Sequence, residues 1–292
     1  MSSLHLKPFQ YHEPASIQEA AELLNTYGDA AQILAGGIDL IPRLRAGSIQ
    51  AGHIINIQNI PELNYIKCNG NGLEFGAMAT LHTLEMLPEF KLGFPTLYEA
   101  MHQITSVQSK CMGTPVGNMC VATPASDVSP TMMANDGVLI IAGPGGLRRE
   151  RVADFYLGYR RTTLKRGEFV VGVSVPKPRA GEASVFLNLV RTHADIAKLT
   201  VAVSVLAEGN VCKEARIALG AVAPTVYRAE VAEKTLAGQE LTPQRIAAAA
   251  EAAAASTTPI ADCRSTDEYR REMTRVLVGR ALTKLAAKAG RN

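Results

Sequence analysis

The stretch from Ser106 to Asp127 constrains this chain more than any other. Glycine, proline, threonine and serine dominate it, and no hydrophobic period can be followed through it. Irregular segments of this length are uncommon inside compact domains, and those that occur are often functional. The stretch contains Met112-Gly113-Thr114-Pro115-Val116-Gly117-Asn118 and then Ala122-Thr123-Pro124-Ala125-Ser126-Asp127. Permissive glycines therefore alternate with short hydroxyl, amide and carboxylate side chains.

Two readings of this segment stand side by side. Those polar groups suit a phosphate, a ribose and the polar edge of a flavin. They also suit a structural Ω-type loop held by Asn, Ser and Asp turns. A second glycine-bearing segment, Leu34-Ala35-Gly36-Gly37-Ile38-Asp39-Leu40, follows a short apolar run, Ala31 to Leu34, that reads as a buried strand. Two glycines after a strand let the backbone approach a guest closely and turn its N–H groups outward. Such amides can neutralise a pyrophosphate without lysine. A plain tight turn is the alternative, and the pattern is not the dinucleotide fingerprint G-x-G-x-x-G.

The surrounding chain reads as mixed helix and strand. Ser16 and Glu19 form a capping box for a helix that Gly28 stops, and Ile38 to Leu44 is a further apolar segment. His53 to Ile57 reads as a second strand, and Asn64 to Met78 as a hairpin around Asn69-Gly70-Asn71-Gly72. Gly137 to Ala142 and Glu168 to Val175 read as strands, with a polar, helix-like stretch between them. Gly143-Pro144-Gly145-Gly146 lacks the Lys-Ser/Thr ending of a phosphate loop and fits a hairpin turn. Pro176 to Gly181 reads as a linker. Beyond it, Ser184 to Leu189, Thr200 to Ala207 and Glu214 to Leu219 give three strands. The last third is helical. Thr242-Pro243 opens an alanine-rich helix, and a capping box at Ser265 and Glu268 precedes an apolar stripe of Tyr269, Met273, Val276, Leu277, Ala281 and Leu285. The pattern predicts an α+β protein of two domains, residues 1–177 (subdomains about 1–57 and 58–177) and 182–288.

Several function classes are disfavoured. The formal charge is only +3 and no basic tract carries interleaved aromatics, which argues against a nucleic-acid partner. The apolar runs are too short to span a bilayer, and the first residues lack the pattern of a signal peptide, so a cytoplasmic protein is expected. The five cysteines, Cys68, Cys111, Cys120, Cys212 and Cys263, form no C-x-x-C pair. They fit neither a disulfide framework nor an iron–sulfur cluster. The six histidines (His5, His12, His53, His82, His102 and His193) show no ligand spacing, so no metal site is expected. No H-E-x-x-H and no hydrolase elbow is present, and no catalytic residue is nominated.

The two glycine-bearing segments together resemble the paired FAD signatures of the medium subunit of the molybdenum hydroxylases, the xanthine dehydrogenase and carbon monoxide dehydrogenase family. The first signature reads like A-G-G-T-D-L and stands here as Ala35 to Leu40, with Ile38 in place of threonine. The second resembles G-T-I-G-G-N followed by S-P-x-S-D, here Gly113 to Asn118 and then Thr123 to Asp127. Phe155 to Thr162 resembles F-F-x-G-Y-R-x-T, and Glu168 to Pro176 the strand that follows it. Arg191 to Lys198 resembles R-x-x-x-D-I-A-K, and Arg216 to Pro224 and the helix starting Tyr269-Arg270-Arg271 are similar to later family segments.

The resemblance implies a vanillyl-alcohol-oxidase-like FAD domain of two α/β subdomains, plus a C-terminal three-stranded sheet with helices. FAD would lie between the first two pieces and the C-terminal domain. Leu34 and the backbone of Ala35, Gly36, Gly37, Ile38, Asp39 and Leu40 would hold the pyrophosphate, with Thr114, Gly117, Asn118 and Thr123 contributing from the facing loop. Asp127 would bond the ribose or adenine side, and Phe169 and Val170 would approach the isoalloxazine. The implied partners are a small subunit with two [2Fe–2S] clusters and a large molybdopterin subunit, assembled as a dimer of heterotrimers. Electrons would pass from molybdenum through iron–sulfur to FAD, and then to NAD+ or another acceptor. Three departures stand out: Val116 replaces a glycine, Val121 a threonine, and Leu187 or Asn188 a lysine near the flavin. A branched Val116 is comfortable only at negative φ, which predicts a differently shaped loop. Two other readings remain at this point: a stand-alone flavin oxidoreductase, and a scaffold whose flavin site has degenerated.

Overall fold

The computed structural model describes residues 6–104, 106–192 and 195–290. Among these the chain builds two N-terminal lobes and a C-terminal sheet-and-helix unit. The first lobe runs β1 (Gln10–His12), α1 (Ile17–Tyr27), β2 (Ala31–Leu34), α2 (Leu40–Arg45) and β3 (His53–Asn56). Its strands form a parallel sheet in the order β1-β3-β2. Ser16 starts α1 by accepting the Glu19 N–H at 3.2 Å. The Glu19 carboxylate reaches back to the Ala15 N–H at 2.8 Å, one residue before the cap. Gly28 ends the helix at φ +51°.

The second lobe begins with the predicted hairpin, β4 (Ile66–Asn69) and β5 (Gly72–Gly76). Six short helices follow: α3 (Leu81–Glu85), α4 (Pro88–Gly93), α5 (Pro95–His102), α6 (Val107–Met112), α7 (Pro115–Cys120) and α8 (Val128–Ala134). Then come β6 (Val138–Gly143), β7 (Gly146–Arg151), a small ribbon of β8 (Tyr156–Gly158) and β9 (Arg161–Thr162), and β10 (Phe169–Pro176). The main sheet is antiparallel, in the order β4-β5-β10-β6-β7.

The C-terminal unit carries β11 (Glu182–Leu189), β12 (Leu199–Glu208), β13 (Val211–Gly220) and β14 (Tyr227–Arg228) in that spatial order. Helices α9 (Glu230–Leu236), α10 (Pro243–Ala255) and α11 (Asp267–Ala289) complete it. Ala249, Ala250 and Ala253 of α10 are buried, and Gly279 of α11 comes close to Ala250. Small residues on both helices let their backbones approach. The other face of this sheet sends Phe186, Ala202 and Ala218 into the core of the N-terminal lobes. Buried Arg216 ties the units together. Its Nε donates to Ala134 O at 2.9 Å, while its other nitrogens meet Glu182, Glu214 and Asp136. No helix among the described residues is long and apolar enough to cross a membrane.

The fold corrects five sequence expectations. The Ser106–Asp127 stretch contains α6 and α7, six residues each, too short for a helical period to register. The polar stretch after Gly145 is the strand β7. It reads as helix-like because it is an edge strand, paired only with β6 and largely exposed. The cap of α11 is Thr266 rather than Ser265. Its inward face holds Arg270, Thr274, Leu277, Val278, Ala281, Leu282 and Leu285, whereas Tyr269 is exposed. Arg270 can face inward because its guanidinium donates to Ala221 O and Asp262 Oδ1, both at 2.8 Å. The C-terminal sheet has a fourth strand, β14, whose two residues are too few to carry a pattern.

Candidate functional site

A cleft of about 560 Å³ opens between the two N-terminal lobes. One wall is the turn from β2 into α2. Its two glycines are required for different reasons. A Cβ on Gly36 would stand 1.8 Å from Met112 O, so this position is set by the opposing loop. Gly37 sits at φ +73°, where any other residue is strained. Beyond them, the N–H groups of Gly36 to Leu40 donate to no acceptor among the described residues. The last of these amides open α2 and so have no intrahelical partner.

The facing wall is α7 and the arm behind it. Thr114 is buried and caps α7, its Oγ1 accepting the Gly117 N–H at 2.9 Å. Asn118 Oδ1 accepts the Ser126 hydroxyl at 2.5 Å, which pins the arm Thr123–Asp127 to α7. Ala122 enters this arm at φ +51°, an uncommon value for a residue with a Cβ. Val116 lies inside α7 with its side chain in the core. Helical φ is negative, so the branched side chain is accommodated by α7 itself.

Asp127 is the polar exception. It stands at the N-cap position of α8, yet its carboxylate caps nothing and has no hydrogen-bond partner among the described residues. Burial pushes its pKa up to about 6. Asp39, across the cleft, is differently placed: Arg43 Nη1 lies 3.0 Å from its Oδ2 and Arg160 Nη1 3.6 Å.

Of the residues singled out from the sequence, Ala35, Gly36, Gly37, Ile38, Asp39, Leu40, Thr114, Gly117, Asn118, Thr123, Asp127, Phe169 and Val170 all line this one cleft. Leu34 does not; it packs into the small core under the parallel sheet. Phe169 and Val170 line the floor while remaining almost wholly buried. The cleft's lining ends at Val170, and no described residue of the C-terminal unit contributes to it. Sequence reasoning missed Arg43, Leu81, Ser109, Cys120 and Leu164, which also line it. None of them belongs to a motif: Arg43, Leu81, Ser109 and Cys120 are brought in by the packing of α2, α3, α6 and α7, and Leu164 by the segment between β9 and β10. The Cys120 thiol is pushed up to about 12 by burial and stays neutral.

Other expected features fall elsewhere. Leu187 and Asn188 line a separate groove with Leu277, Arg280 and Lys284. His12 and His53 meet at 3.0 Å and stack on each other, and His53 also stacks on Tyr27, forming a satisfied cluster. His5, His193 and Ala194 of the Arg191–Lys198 segment lie outside the described residues. Among the described residues no group of three potential metal ligands occurs.

The cleft fits a dinucleotide cofactor. Its volume lies in the roughly 300–1,000 Å³ range of small-molecule sites. It joins free amides for a diphosphate, walls without side chains at Gly36 and Gly37, and an unpartnered carboxylate for hydroxyl groups. The family comparison is decisive. Residues 7–178 match the FAD binding domain in molybdopterin dehydrogenase, and residues 184–285 match the CO dehydrogenase flavoprotein C-terminal domain.

The chain is a flavoprotein subunit of the molybdopterin dehydrogenase family.

Its relatives agree over full length. The carbon monoxide dehydrogenase medium chain of Hydrogenophaga pseudoflava is 34% identical over 274 residues, covering 94% of this chain and 96% of that one. The glyceraldehyde dehydrogenase medium chain of Sulfolobus acidocaldarius is 31% identical over 278 residues, covering 95% and 98%. A structure of carbon monoxide dehydrogenase from Hydrogenophaga pseudoflava, lacking the Mo-pyranopterin moiety of its cofactor, superposes with a TM-score of 0.93. It is 35% identical and covers 97% of this flavoprotein and 99% of the matched chain.

Proposed function

We propose that this flavoprotein holds FAD in the cleft between its two N-terminal lobes and passes electrons between partner subunits and an external acceptor. The amides of Gly36 to Leu40 take the diphosphate; they have no acceptor among the described residues and belong to a cleft-lining turn that bears no side chain at its tightest point. Thr114, Gly117, Asn118 and Thr123 close the opposite side, Asp127 accepts hydroxyl hydrogens from the ribose or adenine end, and Phe169 and Val170 flank the isoalloxazine. When bound, FAD supplies the exchange between one-electron and two-electron chemistry. The chain's own residues bind, orient and exclude water.

The family supports the remaining parts of the reading. Electrons arrive from [2Fe–2S] clusters on a small subunit, which in turn receive them from molybdopterin on a large subunit. They leave to NAD+ or another acceptor. The complex is a dimer of such heterotrimers in the cytoplasm. The substrate is selected on the large subunit. Relatives named for carbon monoxide and for glyceraldehyde are about equally similar to this chain, which supports placing substrate choice elsewhere.

The observation that carries the reading is that one cleft is lined both by a row of amides and by the Asp127 carboxylate, none of them with a partner among the described residues. Purification with its partner subunits tests it. The expected product is yellow, with one FAD per chain, and the flavin bleaches when the complex is given its donor. A colourless chain that takes up no added FAD contradicts the assignment.

A further inference from the structure

Arg160 has two features that FAD binding by the cleft walls leaves unused. Its backbone is left-handed at φ +55°, and its Nη1 is buried without a hydrogen-bond partner. A residue with a Cβ is disfavoured in that conformation and keeps it only where the surroundings enforce it. Here the enforcement comes from the site. The Arg160 N–H donates to Ala122 O at 2.9 Å, and Ala122 leads directly into the arm Thr123–Asp127. The guanidinium points the other way. Its Nη1 stands 3.6 Å from Asp39 Oδ2, in the middle of the amide-bearing turn. Tyr159 fixes the side chain, with its hydroxyl 3.2 Å from Arg160 Nε and its ring 5.5 Å from the guanidinium carbon.

One residue thus grips both walls of the cleft, one through its main chain and the other through its side chain. The second grip is incomplete, because 3.6 Å is too long for a hydrogen bond and Nη1 is left with an unused donor. We propose that Arg160 is a positioning residue, a strap across the cleft whose bond to Asp39 closes when the walls draw in on the diphosphate of the bound cofactor. Asp39 has capacity for this: Arg43 Nη1 lies 3.0 Å from its Oδ2, and its Oδ1 has no hydrogen-bond partner among the described residues. The inference rests on the FAD reading and adds to it a residue that belongs to neither signature loop.

The test is flavin affinity and melting temperature for wild type, Arg160→Gln, Arg160→Lys, Asp39→Asn and the double variant Asp39→Asn/Arg160→Gln, each with and without FAD. Gln and Lys face the same left-handed backbone as Arg, so the variants differ only in the side-chain grip. Arg160→Gln is expected to weaken FAD about tenfold, the scale of one charge-assisted hydrogen bond. It should leave the flavin-free melting temperature close to wild type. Arg160→Lys should recover part of the affinity, and Arg160→Gln should have no further effect once Asp39 is Asn. If Arg160→Gln fails to fold, the comparison of Arg160→Lys with wild type, with and without FAD, reads the same grip. Unchanged FAD affinity in these variants overturns the strap while leaving FAD binding intact. An equal loss of stability with and without FAD also overturns it, because the bond would then be already made. A wild-type chain that binds no FAD removes the underlying reading itself.

Discussion

Two sets of buried carboxylates in this molecule are treated in opposite ways. In the C-terminal unit, Glu233 accepts the Ile217 N–H at 2.8 Å and both Nε and Nη2 of Arg228 at 2.9 and 2.7 Å. Glu182 is held between Arg179 and Arg216, and despite opposing burial its pKa falls to about 2. In the cleft, Asp127 has no partner among the described residues and burial drives its pKa up to about 6. Desolvating a carboxylate is unfavourable unless hydrogen bonds or cations compensate. The C-terminal unit supplies that compensation from its own chain, as a framework does. The cleft leaves its carboxylate and a row of amides for something from outside.

The largest expected effect separates the two regions by their steric tolerance. Gly36→Val drives a side chain into the carbonyl of Met112, so the walls must part. Flavin content should fall to near zero, while the chain loses about 1–3 kcal/mol of stability as an overpacked site does. Retained stoichiometric FAD would break the comparison at its root. Glu233→Ala comes next. It strands the Arg228 guanidinium and the Ile217 N–H, and chemical denaturation should report a loss of about 3 kcal/mol, with FAD affinity unchanged in the chain that still folds.

Asp127→Asn should act in the opposite sense. With the folded pKa near 6 and the unfolded one near 3.8, the folded chain takes up a proton first as pH falls. The ionised group is therefore a burden above pH 6 that disappears toward pH 4. Flavin-free Asp127→Asn should be more stable than wild type at pH 7, by up to about 3 kcal/mol, and the gain should fade toward pH 4. FAD affinity of the wild type should drop as pH falls through 6, and the variant should show no such step. Glu182 gives the mirror image, at lower pH. Its depressed pKa contributes stability above the unfolded value of 4.5 that is lost as pH falls toward 2. An acid titration of Glu182→Gln against wild type should show a deficit that is constant above pH 4.5 and shrinks between there and pH 2.

The sequence was most legible where a function needs backbone rather than side chains. Gly36 and Gly37 mark their wall because no other residue can stand there, and the Thr114–Asp127 polar run marks the other. The strands β2, β3, β6 and β10 showed their apolar runs. What stayed hidden depends on contacts between distant segments. Leu34 read as part of the site because it adjoins the glycines, yet its side chain turns under the sheet. Arg43 and Cys120 carry no local motif. The inward face of α11 was shifted because Arg270 reads as solvent-facing until the carbonyl of Ala221 and the carboxylate of Asp262 are brought to it. The six-residue helices α6 and α7 were invisible to periodicity, although their caps, Ser106 and Thr114, were in plain sight.

The central claim is that free amides of the β2–α2 turn receive the diphosphate of FAD. Titrating the isotopically labelled chain with FAD while following its backbone amide resonances tests it directly. The N–H signals of Gly36 to Leu40 should shift most strongly, and ADP should move the same set. Saturation with FAD that leaves those five amides in place, while others elsewhere respond, would contradict it.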